Sequence, residues 1–181
     1  QMGMTGLVFV RPAQNGNTSL YPSGKFVFND GDGSTGYDRE FGMHLSEMWV
    51  DSHWADSHIQ LPEWSDYKPD FSMINGRVYP DTIAPNGQGF DANGDLIAPD
   101  GHPNLQYSPI SSLVECNAGE RVLLRFTNLG FMQASMTLEG LQMRVVGKDA
   151  TFLNNGGIDI SYLTNTIVIG AGESFDAIFT A

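Results

Sequence analysis

Apolar residues along this chain fall at alternate positions in short runs, and the runs are separated by Gly, Pro, Asn and Asp. Arg121–Asn128 (RVLLRFTN) sets Val122, Leu124 and Phe126 on one side of an extended backbone. Ser174–Thr180 repeats the pattern with Phe175, Ala177 and Phe179, and residues 40–50 repeat it with Phe41, Met43 and Leu45. A period of two turns one face of a strand inward. The same reading predicts strands at residues 5–11 (TGLVFVR), Phe71–Ile74, 77–79, 136–146 and Thr166–Ile169. Asn75-Gly76 follows Phe71–Ile74 and is the pair a two-residue hairpin favours, because both residues tolerate positive φ. No segment shows a long 3.6-residue period, and only residues 53–67 are expected to hold a helical turn. Strands this short, with turns this frequent, predict an all-β Greek-key sandwich or barrel with long loops.

Two stretches read as loops. Residues 12–38 are polar and rich in Gly, Asn and Ser, and are expected to form a surface linker. Residues 80–109 contain Asn86-Gly87, Asn93-Gly94 and Asp100-Gly101, with strand content only near 95–97. A loop of that length inside a compact domain points to a functional or partner-facing role. The chain therefore divides into residues 1–12, a linker at 13–38 and a domain at 39–181.

With 181 residues the chain can bury a core without staples. A net charge of −12 argues against nucleic acid and against anionic membrane, both of which need basic patches. It leaves a solvated acidic surface or cation binding by some of the carboxylates. No apolar run approaches the ~20 residues that span a bilayer. Gln1-Met2-Gly3-Met4 lacks the basic flank and apolar run of a leader, so a mature protein or an excised piece is expected. One cysteine, Cys116, permits no internal disulfide. The sequon Asn17-Thr18-Ser19 is too common by chance to fix a compartment.

A blue-copper site needs two imidazoles and a thiolate, with a weak axial Met. Cys116 lies in a turn (ECNAGE) with no flanking His and is expected to be a buried, inert thiol. His44 sits on the polar side of its strand, as a solvent-facing or interface residue. His53 and His58, with Asp51 and Asp56 beside them, are candidate ligands for zinc or copper, although their spacing is not a usual one. His102 stands alone in the long loop. Asp30 and Asp32, and likewise Asp91, Asn93 and Asp95, resemble the start of a calcium loop, but the following Gly and Glu are out of frame and a plain turn is the competing reading. No nucleophile elbow, HExxH helix or phosphate loop is present. Trp49, Trp54, Trp64, Tyr67 and Phe71 cluster in sequence, as a carbohydrate platform or as core and interdomain packing.

The segment Ala134–Leu141 (ASMTLEGL) lies between two alternating runs. It resembles the strand–loop–strand of multicopper oxidases, whose copper domains read His-Pro-Met-His-Leu-His-Gly-His there. Met136, Leu138 and Gly140 keep the frame, and Ala134, Thr137, Glu139 and Leu141 stand at the four histidine positions. Residues 71–82 (FSMINGRVYPDT) are similar to the family's Ile-Asn-Gly-Lys followed by an aromatic, Pro and Thr. Residues 37–41 (YDREF) and 45–49 (LSEMW) resemble the opening strand of the second domain. Residues 118–122, 125–128, 145–149 and 171–176 continue the likeness, and residues 1–12 look like the end of a preceding domain. The resemblance implies a copper-free, cupredoxin-like middle domain that is inactive alone. Its parent would couple one-electron oxidation of a phenol-like or metal substrate to reduction of O2 to water. Copper is implied only in flanking cupredoxin domains, which would be its partners, with a second copy of the chain as a further possible one. The family resemblance favours a periplasmic or extracellular parent. The alternative is a stand-alone β-sandwich binding module for sugar or protein, with calcium as its candidate stabiliser.

Overall fold

A computed structural model describes residues 5–181. Its strands are Arg39–Met48 (β1), Phe71–Ile74 (β2), Arg121–Asn128 (β3), Ala134–Thr137 (β4), Met143–Lys148 (β5), Thr151–Phe152 (β6), Asn154–Asn155 (β7), Ile158–Asp159 (β8), Tyr162–Thr164 (β9), Thr166–Ile169 (β10) and Ser174–Thr180 (β11), with one helix, Val50–Ser57 (α1). The larger sheet runs β2-β1-β3-β11-β5-β6, and β9 also pairs with β5. β1 and β3 are parallel, and the other neighbours are antiparallel. β4 and β10 form a two-stranded sheet that faces the larger one. β7 and β8 make a small separate hairpin.

Strand parity explains the core. Phe126 pairs with Met43 on one side and Phe175 on the other, so the even-numbered residues of β3 meet the odd-numbered residues of β1 and β11 on one face. Met43, Leu45, Val122, Leu124, Phe126, Val145, Phe175, Ala177 and Phe179 pack there against Ile167 and Ile169 of β10, with Met136 and Leu138 at the margin. The opposite face carries Leu123, Val146 and Ile178, which form a second cluster with Val27 and Tyr37.

That second cluster corrects the expected linker. Residues 13–38 lack long strands, but they are a packed layer: Phe26 and Thr35 are fully buried and Tyr37 is nearly so. The apolar side chains are few and widely spaced, which made the stretch read as solvent-exposed. Gly36 is required where this layer folds on itself, since a Cβ there would lie 2.3 Å from Cγ of Tyr21.

Other expectations change in detail. Residues 136–146 are two strands, because Gly140 takes positive φ (76°) in the turn between β4 and β5. Residues 77–79 contribute one bridge, Ile74 to Arg77, across the Asn75-Gly76 turn, in which both residues have positive φ as the sequence predicted. Near 95–97 a single Phe90–Leu96 bridge forms. The helical turn begins earlier, as α1, and a 3-10 turn follows at Trp64–Asp66.

The predicted strand at 5–11 forms no ladder with any described residue. The segment instead crosses the outer face of β1 as a strap. Its alternation survives: Leu7 and Phe9 turn toward the sheet at Gly42, while Val8 and Val10 are 92% and 87% exposed. Residues 1–4 of the segment 1–12, expected to end a preceding domain, lie outside the described residues.

Candidate functional site

The loop that carries copper in the resembled domains comes first. Met136 and Leu138 pack onto the core, and so does Ala134, the first of the four histidine positions. Thr137, Glu139 and Leu141 face outward. The Thr137 hydroxyl is hydrogen-bonded to that of Thr166 at 3.0 Å. Copper of the blue type needs imidazole and thiolate donors. One hydroxyl, one carboxylate and two alkyl groups do not fit it. Cys116 does not repair the set, because it lies just before the turn leading into β3, where Gly119 and Glu120 bond the backbone of Ala181. It is also exposed rather than buried, a correction that follows from the turn's solvent-facing position.

The structure does not bring His53 and His58 together. His53 lies within α1, whereas His58 follows its last residue with a non-helical backbone (φ −105°, ψ 13°). His58 stacks on Trp54 at 4.3 Å and its Nδ1 lies 2.8 Å from the Trp54 carbonyl. His53 instead lines a small pocket with Glu47, Trp49, Trp64, Tyr67 and Phe131, where its Nε2 is buried without a partner among the described residues. The Tyr67 hydroxyl donates to Glu47, and burial together with that carboxylate pushes the phenol well above its usual range. Trp49, Trp64, Tyr67 and Phe131 have ring centroids 5.1–6.5 Å apart. They fill the space between themselves as a packed cluster. Phe71 belongs to β2 and Trp54 to the His58 stack.

The acidic loops behave as turns. Asp30 accepts from the Gln14 amide at 2.8 Å, from the Gly33 N–H at 2.9 Å and from both donors of Thr35. Burial alone would raise its carboxyl, but these donors hold it below the ordinary range. Asp32 accepts from the Ser34 N–H at 2.8 Å. Asp91 accepts from the N–H groups of Asn93 and Asp95 at 2.8 and 2.9 Å, which lowers its carboxyl. His102 lies 4.0 Å from Asp81. Among the described residues no group of three or more His, Cys, Asp or Glu is placed to hold a metal ion.

His44 is covered, not solvent-facing. Its Nδ1 is 2.8 Å from the Thr127 hydroxyl and its Nε2 is 3.0 Å from that of Thr5 in the strap. Burial lowers its imidazole. Along the same face Arg125 pairs with Glu40 and, at 3.1 Å, with Asp176. Arg11 reaches Glu40 at 2.6 Å, and the Phe9 ring lies 5.3 and 5.1 Å from the guanidinium carbons of Arg11 and Arg125. Burial raises the Asp176 carboxyl, against the pull of Arg125.

Sequence reasoning missed Arg77. It is 1% exposed, and its guanidinium donates to the carbonyls of Ser108 (2.6 Å), Ala84 (2.7 Å), Pro85 (3.1 Å) and Asp81 (3.2 Å). One side chain thus organises the long 80–109 loop from the hairpin beside β1. The only signal was its place in the Ile-Asn-Gly-Lys-like motif.

A large mixed sheet faced by a short ribbon defines a cupredoxin-like domain. The family model for multicopper oxidases matches residues 43–181, and the chain belongs to that family. Three solved structures resemble it. Fet3p, a multicopper oxidase that functions in iron import, aligns with TM-score 0.52 and 16% identity over 86% of this chain and 23% of its own. The multicopper oxidase mgLAC aligns with TM-score 0.52 and 19% identity over 78% of this chain and 33% of its own. The blue copper oxidase of Nitrosomonas europaea aligns with TM-score 0.50 and 20% identity over 78% and 33%. At these identities the likeness speaks for the fold, and the chain spans between 23% and 33% of those proteins. No curated protein sequence matches it.

Proposed function

We propose that this chain is a copper-free spacer domain of a multicopper oxidase. It holds two copper-bearing domains in place while they couple one-electron substrate oxidation to reduction of O2 to water. One observation carries the reading: the strand–loop–strand keeps its core-facing frame at Met136 and Leu138, while Ala134, Thr137, Glu139 and Leu141 supply no copper donor set. Apolar side chains left in water support flanking domains, Val8 and Val10 on the strap and Phe90 and Tyr107 in the long loop among them. The strap at residues 5–11 then belongs to the junction with a preceding domain. A periplasmic or extracellular parent follows from the same reading. No described helix is long and apolar enough to cross a membrane.

The test is copper loading of the purified chain. We expect a colourless protein after Cu(II) addition and desalting, and no oxidation of a phenolic dye. Stoichiometric retained copper with a blue absorption band would overturn the reading. A calcium-held binding module would instead gain thermal stability from Ca2+, and the saturated carboxylate of Asp30 argues for a flat response.

A further inference from the structure

Most cations on this acidic chain have assigned partners. Arg11, Arg39, Arg125 and Lys148 pair with carboxylates, and Arg77 is surrounded by carbonyls. Arg121 and Arg144 differ: Arg121 lies over the Tyr21 ring at 5.2 Å, but neither has an acidic partner among the described residues. They project from β3 and β5 onto the outer face of the larger sheet, where Thr180 pairs with Arg121 and Ile178 pairs with both Leu123 and Arg144. Both converge on one neutral oxygen. Arg121 Nη2 donates to the Ser34 carbonyl at 2.7 Å, and Arg144 Nη2 reaches the same atom at 3.5 Å. Neither guanidinium has a carboxylate within 4.0 Å among the described residues. Nε of Arg144 is buried and has no partner among the described residues.

Adjacent acids do not fill the gap. The Asp38 carboxylate is committed to the Tyr21 hydroxyl and to the backbone N–H of Arg121, each at 2.8 Å. Asp159 is engaged by the Ser161 N–H at 2.9 Å. A guanidinium is a planar fork of donors with no acceptor, and two such forks share one protein carbonyl here. Beside them opens a cleft of about 460 Å3 lined also by Gln142, Leu163 and Thr180. Gln142 and Thr180 add neutral polar groups, and Leu163 lowers the local polarity. A buried donor left unmatched is costly, and two like charges side by side repel. An oxyanion between them would relieve both costs through paired, charge-assisted N–H···O bonds.

We propose that Arg121 and Arg144, with Gln142 and Thr180, form a binding site for an oxyanion, either a free phosphate-like ion or a carboxylate from a partner protein. The site is local: the net charge of −12 repels anions at long range, so capture depends on the two forks and weakens with salt. It requires no copper and does not depend on the spacer reading.

The decisive measurement is NMR of the arginine Nε–H groups in the whole chain. It is titrated at constant ionic strength with inorganic phosphate, with N-acetylaspartate as a stand-in for a protein carboxylate, and with chloride as control. We expect a saturable shift of the Arg144 Nε–H signal with phosphate or N-acetylaspartate and none with chloride. The tighter of the two identifies the source, a free ion or a partner's side chain. Calorimetry on Arg144→Gln should show binding weakened at least about tenfold, the loss expected for one charge-assisted contact. Should that variant fail to fold, the wild-type titration decides alone. Absence of a saturable shift with both oxyanions, or unchanged binding by folded Arg144→Gln, overturns the proposal.

Discussion

Arg77 shows how much a single buried cation can organise. Burial lowers its guanidinium, and the charge of Asp81 opposes that only in part, so the side chain relies on carbonyl oxygens. Arg77→Ala should lower stability by about 2–4 kcal/mol, because several loop carbonyls lose their donor at once. Arg77→Lys should recover only part, since an ammonium lacks the planar fork. Urea midpoints for the two variants check this order. The motif around Arg77 was legible in the sequence, but its partners lie up to 31 positions away, and a basic residue after a hairpin reads as surface. Asp30 makes a second case. The donors from Gln14, Gly33 and Thr35 outweigh burial and depress its carboxyl, so its stabilisation is present above about pH 4 and is lost as pH falls through the folded-state value. Asp30→Asn removes an acceptor from the Thr35 N–H or hydroxyl and should cost about 1–2 kcal/mol at neutral pH. Stability curves of the two proteins should converge below about pH 4. A gap that stays constant with pH would show that the charge is irrelevant. The same saturation explains why a calcium-like spacing of Asp30 and Asp32 formed a turn: spacing is visible in a sequence, whereas occupied lone pairs are not.

Strands whose two faces differ were the easiest elements to read. β1, β3 and β11 carry the alternation that the sequence displays, and the Asn75-Gly76 turn follows from its two residues. The covering layer at 13–38 was hidden by its composition. A trace of it lay elsewhere, in Leu123, Val146 and Ile178, apolar residues at positions of the wrong parity for the main core. Central strands apolar on both faces require a cover on each side. Phe26 is the anchor of that cover and is fully buried. Phe26→Ala should cost about 3–5 kcal/mol, the range for truncating a buried aromatic. Val8→Ala, at a side chain in open solvent, should change stability by less than about 0.5 kcal/mol. Equal effects in thermal or urea unfolding would mean that the layer is not part of the cooperative unit. The aromatic cluster between 49 and 71 was legible as a group, but its division was not. Trp54 stacks on His58, just past the end of α1, while His53 lines the pocket with the other aromatics.

At the scale of the whole molecule, the strap at residues 5–11 separates two roles that a strand pattern cannot tell apart. A strand is stabilised by a ladder, and this segment has none with the described residues; its attachments are side-chain contacts to the outer sheet face. The Arg11–Glu40 pair is partly exposed, and pairs of that kind contribute about 0–1 kcal/mol. Removing residues 1–11 should therefore leave a folded domain with a modestly lower Tm. The sharper consequence falls on His44. Thr5 and the strap help to keep its imidazole from water, and burial lowers its proton affinity. The unfolded chain then binds a proton more readily than the folded one, so stability is full above about pH 6.5 and declines as pH falls below it. Without the strap the ring gains water on its Nε2 side, while Nδ1 keeps Thr127. NMR titration should place His44 below the ordinary imidazole range in the intact chain and nearer to it in the truncated one. The slope of stability just below about pH 6.5 should flatten in parallel. An imidazole that titrates alike in both chains would mean that the strap lies over this face without sealing it, and that the exposed Val8 and Val10 belong to a segment held only by its junction with another domain.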